Sequence, residues 1–238
     1  MTRRMLSSEG LSSWQVLVDF DGTIAPDDPT DRLLERFADP LWRVIEEQWQ
    51  SGLISSRQCM QRQVDLLRVS PEALDAAIGT IRIDPTFPTF LNFCHGYGAE
   101  VKIVSDGLDR VVEAVLRNAG LAITYFANKL EWRGGDRWRL AFPHARNDCR
   151  VSAANCKCSH GQRPHLRPRV VVGDGRSDFC MSLQADFVIA KGTLADFCRD
   201  SGRPYAPFAD FHEATARLSA WLADRARRAN PVIAATSP

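Results

Sequence analysis

Short runs of β-branched and aliphatic residues recur along the chain, and each stops abruptly at polar ones. Val16–Val18, Val101–Val104, Val170–Val172 and Phe187–Ala190 read as buried strands, with Ile123–Asn128 as a further one. Between them apolar residues return every three or four positions, the spacing of an amphipathic helix. Such patterns cover Phe87 to Cys94, Leu108 to Ala119 with Gly120 as the stop, Ser177 to Gln184, Leu194 to Arg199 and Phe211 to Arg228. Leu130 to Phe142, with Gly134-Gly135-Asp136 in its middle, reads as a hairpin. Strands alternating with helices predict an α/β fold, a Rossmann-like doubly wound parallel sheet.

One stretch breaks the alternation. From Leu33 to about Ile83 only helical spacings occur: Leu41, Ile45 and Trp49, then Cys59, Gln63, Leu66 and Leu67. Thr30 or Asp31 can cap the helix that runs to Phe37, and Ser70-Pro71 opens another with proline at its first position. At roughly fifty residues the block is too long for an ordinary crossover. It reads as a small α-helical bundle inserted after the first strand, with Trp42 and Trp49 in its core. The expected division is a core of residues 14–27 and 84–229, an inserted bundle of 28–83, and loose tails at 1–13 and 230–238.

The chemistry sits where strands end. The first gives Asp19-Phe20-Asp21-Gly22-Thr23, two carboxylates one residue apart that an extended chain turns the same way. The strand at Val170 ends in Gly173-Asp174-Gly175-Arg176-Ser177-Asp178, and the one at Val101 in Ser105-Asp106-Gly107. Lys157 precedes the Asp174 strand. In open α/β sheets the carboxyl edge is where ligands bind. Taken singly, Ser105 can be a turn hydroxyl and Lys157 a surface lysine, with Lys191 its competitor for a phosphate.

Together and in this order, Asp-x-Asp-Gly-Thr, a strand-end Ser, a Lys and Gly-Asp-x-x-x-Asp resemble the haloacid dehalogenase superfamily. The helical block after the first motif resembles the cap of the subgroup containing phosphoserine phosphatase. The resemblance implies a Mg²⁺-dependent phosphomonoesterase working through an aspartyl-phosphate. Asp19 would be nucleophile and Asp21 general acid and base. Asp19, Asp174, the main-chain carbonyl of Asp21 and, through waters, Asp178 would hold the metal. Ser105 and Lys157 would bind phosphoryl oxygens, with amides at Asp106-Gly107 as further donors. Members that cleave carbon–halogen bonds lack the second aspartate, so dehalogenation is not expected. Specificity would lie in the cap, with Asp28 facing a substrate amine and Arg57 a carboxylate or carbonyl. Asp28 and Arg57 read equally well as a helix cap and a surface charge.

Phe126 and Asn128, then Pro143-His144, Cys149, Cys156-Lys157 and the closing Pro204 to His212 resemble the methionine-salvage branch of that superfamily, the 2-hydroxy-3-keto-5-methylthiopentenyl-1-phosphate phosphatases. Ala154-Asn155 before Cys156-Lys157, and Asp106-Gly107 after Ser105, depart from that branch. The expected substrate is an enol or sugar-like phosphate, with phosphoserine or another amino-alcohol phosphate second. Phosphoryl transfer to another alcohol, and a silent phosphate-binding regulatory module, are the competing functions.

Composition changes little. Net charge is +1, which gives no bulk field for nucleic acid or a membrane surface. No apolar run approaches the ~20 residues that span a bilayer, and the first ten residues lack the apolar core of a secretory signal. Seven scattered cysteines do not make a disulfide framework, so a reducing cytoplasm is expected. Cys149, Cys156, Cys158 and His160, near His144, form a zinc-like set whose spacing matches no standard structural zinc pattern. A small-molecule phosphate ester is the expected partner, and nothing in the sequence sets an oligomeric state.

Overall fold

A computed structural model describes residues 14–161 and 168–229. The two expected tails lie outside the described residues. β1 (Gln15–Val18) is fully buried at the centre of a seven-stranded sheet of order β4-β3-β2-β1-β5-β6-β7. β2 (Glu100–Leu108) and β3 (Thr124–Trp132) extend it on one side. β5 (Arg169–Gly173), β6 (Phe187–Ala190) and the two-residue β7 (Ala206–Pro207) extend it on the other. All these pairs are parallel; β4 (Trp138–Ala141) alone runs antiparallel, against β3. The sheet therefore winds one way from β1 through β2 and the other way from β1 through β5. Ligands bind at such a switch point, outside the carboxyl ends of the strands.

Side-chain alternation explains why the strands are apolar throughout. Val16 and Val18 enter the larger core, whereas Leu17 joins Val104, Val171 and Val188 on the opposite face. On the first face α5 (Phe87–Gly96) and α9 (Phe211–Ala229) cover the sheet, with the Phe87 and Phe90 rings 4.8 and 5.1 Å from that of Phe211. Each such buried aromatic contributes about 1.5–3 kcal/mol. α6 (Asp109–Asn118) buries Val111, Val112, Val115 and Leu116 in the same core and stops before Gly120, whose φ of +67° suits glycine. α7 (Phe179–Ser182) and α8 (Gly192–Asp200) pack on the second face.

Between β1 and α5 the described chain makes four helices: α1 (Pro29–Phe37), α2 (Trp42–Gln50), α3 (Ser56–Asp65) and α4 (Pro71–Ile78). Thr30 and Asp31 are the caps that the helix pattern suggests for α1, but the cap is Asp28, the other reading the sequence allows for that residue, which accepts from Asp31 N at 3.0 Å. Pro29 starts the helix two residues early because its fixed φ and missing N–H suit the first helical position. Ser55 and Gln58 form a capping box on α3, and Ser70 caps α4. Trp42 is buried as expected, whereas Trp49 is only half buried and lines a cavity.

Two further elements differ from the sequence pattern. Ile123–Asn128 and the hairpin's first arm are one strand, β3, which pairs with β2 in its first half and with β4 from Lys129 to Trp132. The helix expected from Ser177 is a 3₁₀ turn, Arg176–Asp178, followed by the single-turn α7. No helix among the described residues is long and apolar enough to cross a membrane.

Candidate active site

The three strand tips meet because their registers are in step. Val18 lies beside Ile103 of β2 and Val172 of β5, and Asp19 N donates to Val172 O at 2.9 Å. Asp19, Ser105 and Asp174 thus follow one or two residues later on adjacent strands. Asp19 is buried, as are Ser105, Lys157 and Asp178. Lys157 opens a 3₁₀ turn, Lys157–Gly161, and its Nζ donates to Asp19 Oδ1 at 2.6 Å and to Asp178 Oδ1 at 2.7 Å. Lys191, its competitor in the sequence, lies over the Phe208 ring instead.

Asp178 reaches back to hold its own loop. Its Oδ2 accepts from Asp174 N and Gly175 N at 3.2 and 3.3 Å. Thr23 Oγ1 donates to Asp174 Oδ1 at 2.5 Å. Gly22, at φ +75°, lies so close to the Asp174 carboxylate that a Cβ there would collide with it. Asp21 points into the same space. Its Oδ2 accepts from Ser105 Oγ at 2.7 Å and its Oδ1 from Thr30 Oγ1 at 3.1 Å. Ser105 Oγ in turn accepts from Gly107 N at 2.8 Å. A Cβ at Gly107 would strike the Asp21 carboxylate.

The electrostatics follow from crowding acids out of water. Burial raises Asp19 well above the usual carboxylate range; Asp178 adds to this and Lys157 opposes it. Burial, then Asp178, pushes Asp174 up to about 6. Burial also raises Asp21, against its hydrogen bonds from Ser105 and Thr30. Burial works against the charge of Lys157, yet Asp178, Asp19 and Asp106 outweigh it and hold the ammonium protonated. One lysine does not neutralise three neighbouring carboxylates. Asp19, Asp174 and Asp178 each offer an oxygen, all within 4.8 Å of one another. An all-oxygen set with surplus negative charge fits a hard divalent cation such as Mg²⁺. Among the described residues no other group of His, Cys, Asp and Glu ligand atoms converges in this way. His160 stacks on Phe126 at 4.1 Å and shares a 2.6 Å hydrogen bond with Asn155 Oδ1.

Above the acids lies a cavity of about 140 Å³. The strand tips supply Asp19, Asp21 and Asp174, α1 supplies Asp31, α2 Glu46 and Trp49, and α3 Met60. Asp28, Asp106 and Gly107 also line it. Asp28 is occupied as the α1 cap, and burial raises its pKa well above the usual range. Asp106 Oδ1 accepts from Asn155 N at 2.7 Å, and burial raises its pKa too. Arg57 is not in the lining. Its guanidinium donates to Ala153 O and Arg146 O at 3.3 and 3.4 Å, away from the acids.

Asn155 is a residue that the motifs do not single out. Its Nδ2 donates to Ser105 O at 2.8 Å and Phe126 O at 3.0 Å, tying β2 and β3 to the segment carrying Lys157. Asn128 Nδ2 donates to Asp106 O at 2.6 Å in the same region. For Asn128 the sequence signal is an amide at the end of an apolar strand run, since a buried amide must find partners; Asn155, in a bend before Lys157, carries no such signal.

The haloacid dehalogenase-like hydrolase family profile matches residues 16–182. A 2-hydroxy-3-keto-5-methylthiopentenyl-1-phosphate phosphatase of Brevibacillus brevis is 31% identical over 201 residues, 82% of this chain and 90% of that protein. The protein of the same description from Geobacillus kaustophilus is 32% identical over 201 residues, with the same coverage of each chain. A phosphoserine phosphatase solved as a phospho-aspartyl intermediate analogue superposes with a TM-score of 0.64 at 22% identity, covering 85% of this chain and 97% of its own. With the sheet, the strand-end acids and the lysine in place, the chain belongs to the haloacid dehalogenase-like hydrolases and is a phosphatase of that family.

Proposed function

We propose that the chain hydrolyses the phosphate monoester of a small metabolite through an aspartyl-phosphate on Asp19, with Mg²⁺ as cofactor. The observation that carries this reading is the bridging of Asp19 and Asp178 by Lys157 with Asp174 beside them, Asp19 and Asp174 lining the cavity. Asp19, Asp174 and Asp178, with the main-chain oxygen of Asp21, would hold the metal. Mg²⁺ supplies charge neutralisation on the phosphoryl oxygens.

The rest falls to the chain's own groups. A carboxylate oxygen of Asp19 attacks phosphorus, and the alcohol leaves with a proton from Asp21. Asp21 then takes a proton from the water that opens the acyl phosphate. Lys157 offsets charge on the transferring group, and Ser105 Oγ, itself held by Gly107 N, holds Asp21 toward it. Residues 28–83 act as a cap that excludes water and reads the leaving group. The relatives are named for a small enol phosphate, and that size class is carried over here. The resemblance leaves enol or sugar-like phosphates and amino-alcohol phosphates as the substrate classes.

Phosphate release from p-nitrophenyl phosphate tests the reading. Mg²⁺-dependent turnover is expected, and Asp19→Asn should lower it about a thousandfold or more. Acid-quenched protein should carry phosphate on the Asp19 peptide by mass spectrometry. Robust turnover by Asp19→Asn would end the proposal, and products formed on an added acceptor alcohol would turn it to phosphoryl transfer.

A further inference from the structure

The wall that α1–α3 give to the cavity carries more negative charge than the reaction uses. Asp31 and Glu46 line it together with the indole of Trp49 and the thioether of Met60. Glu46 Oε2 accepts from Gln63 Nε2 at 3.0 Å, which fixes its carboxylate. The Asp31 carboxylate accepts no hydrogen bond from the described residues; burial, then Glu46, pushes it up to about 6. These two acids do not form a metal centre, since the single convergent ligand set among the described residues is Asp19, Asp174 and Asp178.

Cations to balance them are missing from the lining. Arg176 is the one arginine or lysine there, and it donates to Gln50 O at 3.3 Å. Arg43 lies outside the lining and pairs with Glu35 at 2.6 Å; its charge lowers Asp31, as the smallest of five influences on it. Arg57, the candidate for a substrate carboxylate, is spent on Ala153 O and Arg146 O. A carboxylate on the substrate would therefore face two acids, with Arg176 the one guanidinium in the lining to set against them. A cation would relieve the Asp31–Glu46 repulsion and could lie against the face of Trp49.

We infer that Asp31, Glu46 and Trp49 select a phosphomonoester whose leaving alcohol carries a positive charge and no carboxylate, an alkylammonium alcohol phosphate. The inference rests on the phosphomonoesterase reading and narrows its substrate class. Size agrees: a cavity of about 140 Å³ is close to one that admits a benzene ring, room for a short chain but not a nucleoside.

The test compares kcat/KM of the Mg²⁺-loaded protein for phosphocholine, for 3,3-dimethylbutyl phosphate (its uncharged isostere) and for phosphoserine. Phosphocholine should exceed the isostere about tenfold or more. The ratio of the two should fall toward one in Glu46→Gln and in Asp31→Asn. Trp49→Leu offers a third variant should either of these fail to fold. A ratio near one in the unaltered protein, a ratio unmoved by the folded variants, or a preference for phosphoserine overturns the inference. Hydrolysis of p-nitrophenyl phosphate without any of the three overturns it as well and leaves the phosphomonoesterase reading standing. Absence of all Mg²⁺-dependent hydrolysis removes both.

Discussion

Ser105 donates its hydroxyl proton to Asp21 Oδ2 at 2.7 Å while accepting from Gly107 N. The serine is thus a relay between a strand-end amide and the proposed acid. Ser105→Ala leaves a buried N–H without a partner, at a cost of about 1–3 kcal/mol in urea unfolding. The Ser105 hydrogen bond lowers Asp21, so its loss raises that pKa further. The alkaline limb of kcat/KM, where the acid loses its proton, should move to higher pH in the variant.

Metal should stabilise the fold. Millimolar Mg²⁺ is expected to raise the melting temperature by several degrees at pH 7.5, since an ion bound only to the folded state adds its binding free energy. Asp174→Asn should remove most of that shift, because one oxygen of the convergent set becomes an amide. Differential scanning fluorimetry with and without the ion decides it.

Asp31 gives a pH signature of its own. Burial, then the neighbouring Glu46, pushes its folded pKa up to about 6, above the ordinary carboxylate range. A raised carboxylate favours the fold below the unfolded pKa, and that contribution is lost as pH rises through the folded one. Asp31→Asn should therefore be more stable than the parent at pH 8, by up to about 3 kcal/mol before solvent screening. The gain should vanish near pH 3.5. Urea melts at both pH values check the sign.

Asn155→Asp places an acceptor where Ser105 O and Phe126 O need a donor. A loss of about 1–3 kcal/mol is expected, with a lower kcat because Lys157 lies two residues on. Asn155→Ala should cost a similar amount of stability. A variant with unchanged melting temperature would show that the carbonyls find other partners.

The strands were legible because their apolar runs end in chemistry that packing does not explain. Val16 to Thr23 and Val170 to Asp178 show this in the sequence, and the sheet places their tips side by side. Where local pattern was silent, tertiary context decided. Nothing in Ile123 to Ala141 shows that one strand serves two partners, because the change of partner is made by β2 ending and β4 arriving. Arg57 sits where a substrate-facing cation is expected, but the 146–153 segment that captures it lies far away in the chain. Trp49 reads as core by spacing alone, since periodicity finds a helix face without saying whether a cavity or a neighbour lies opposite.

Ser56 Oγ accepts from Ala154 N at 3.0 Å, and Arg57 holds Ala153 O, three and four residues ahead of the ammonium between Asp19 and Asp178. Helix α3 and the catalytic lysine are thereby fastened to the same few residues of backbone. Swinging α3 outward must either break these tethers or tug on the lysine, so admission of substrate and readiness of the nucleophile are mechanically geared to one another.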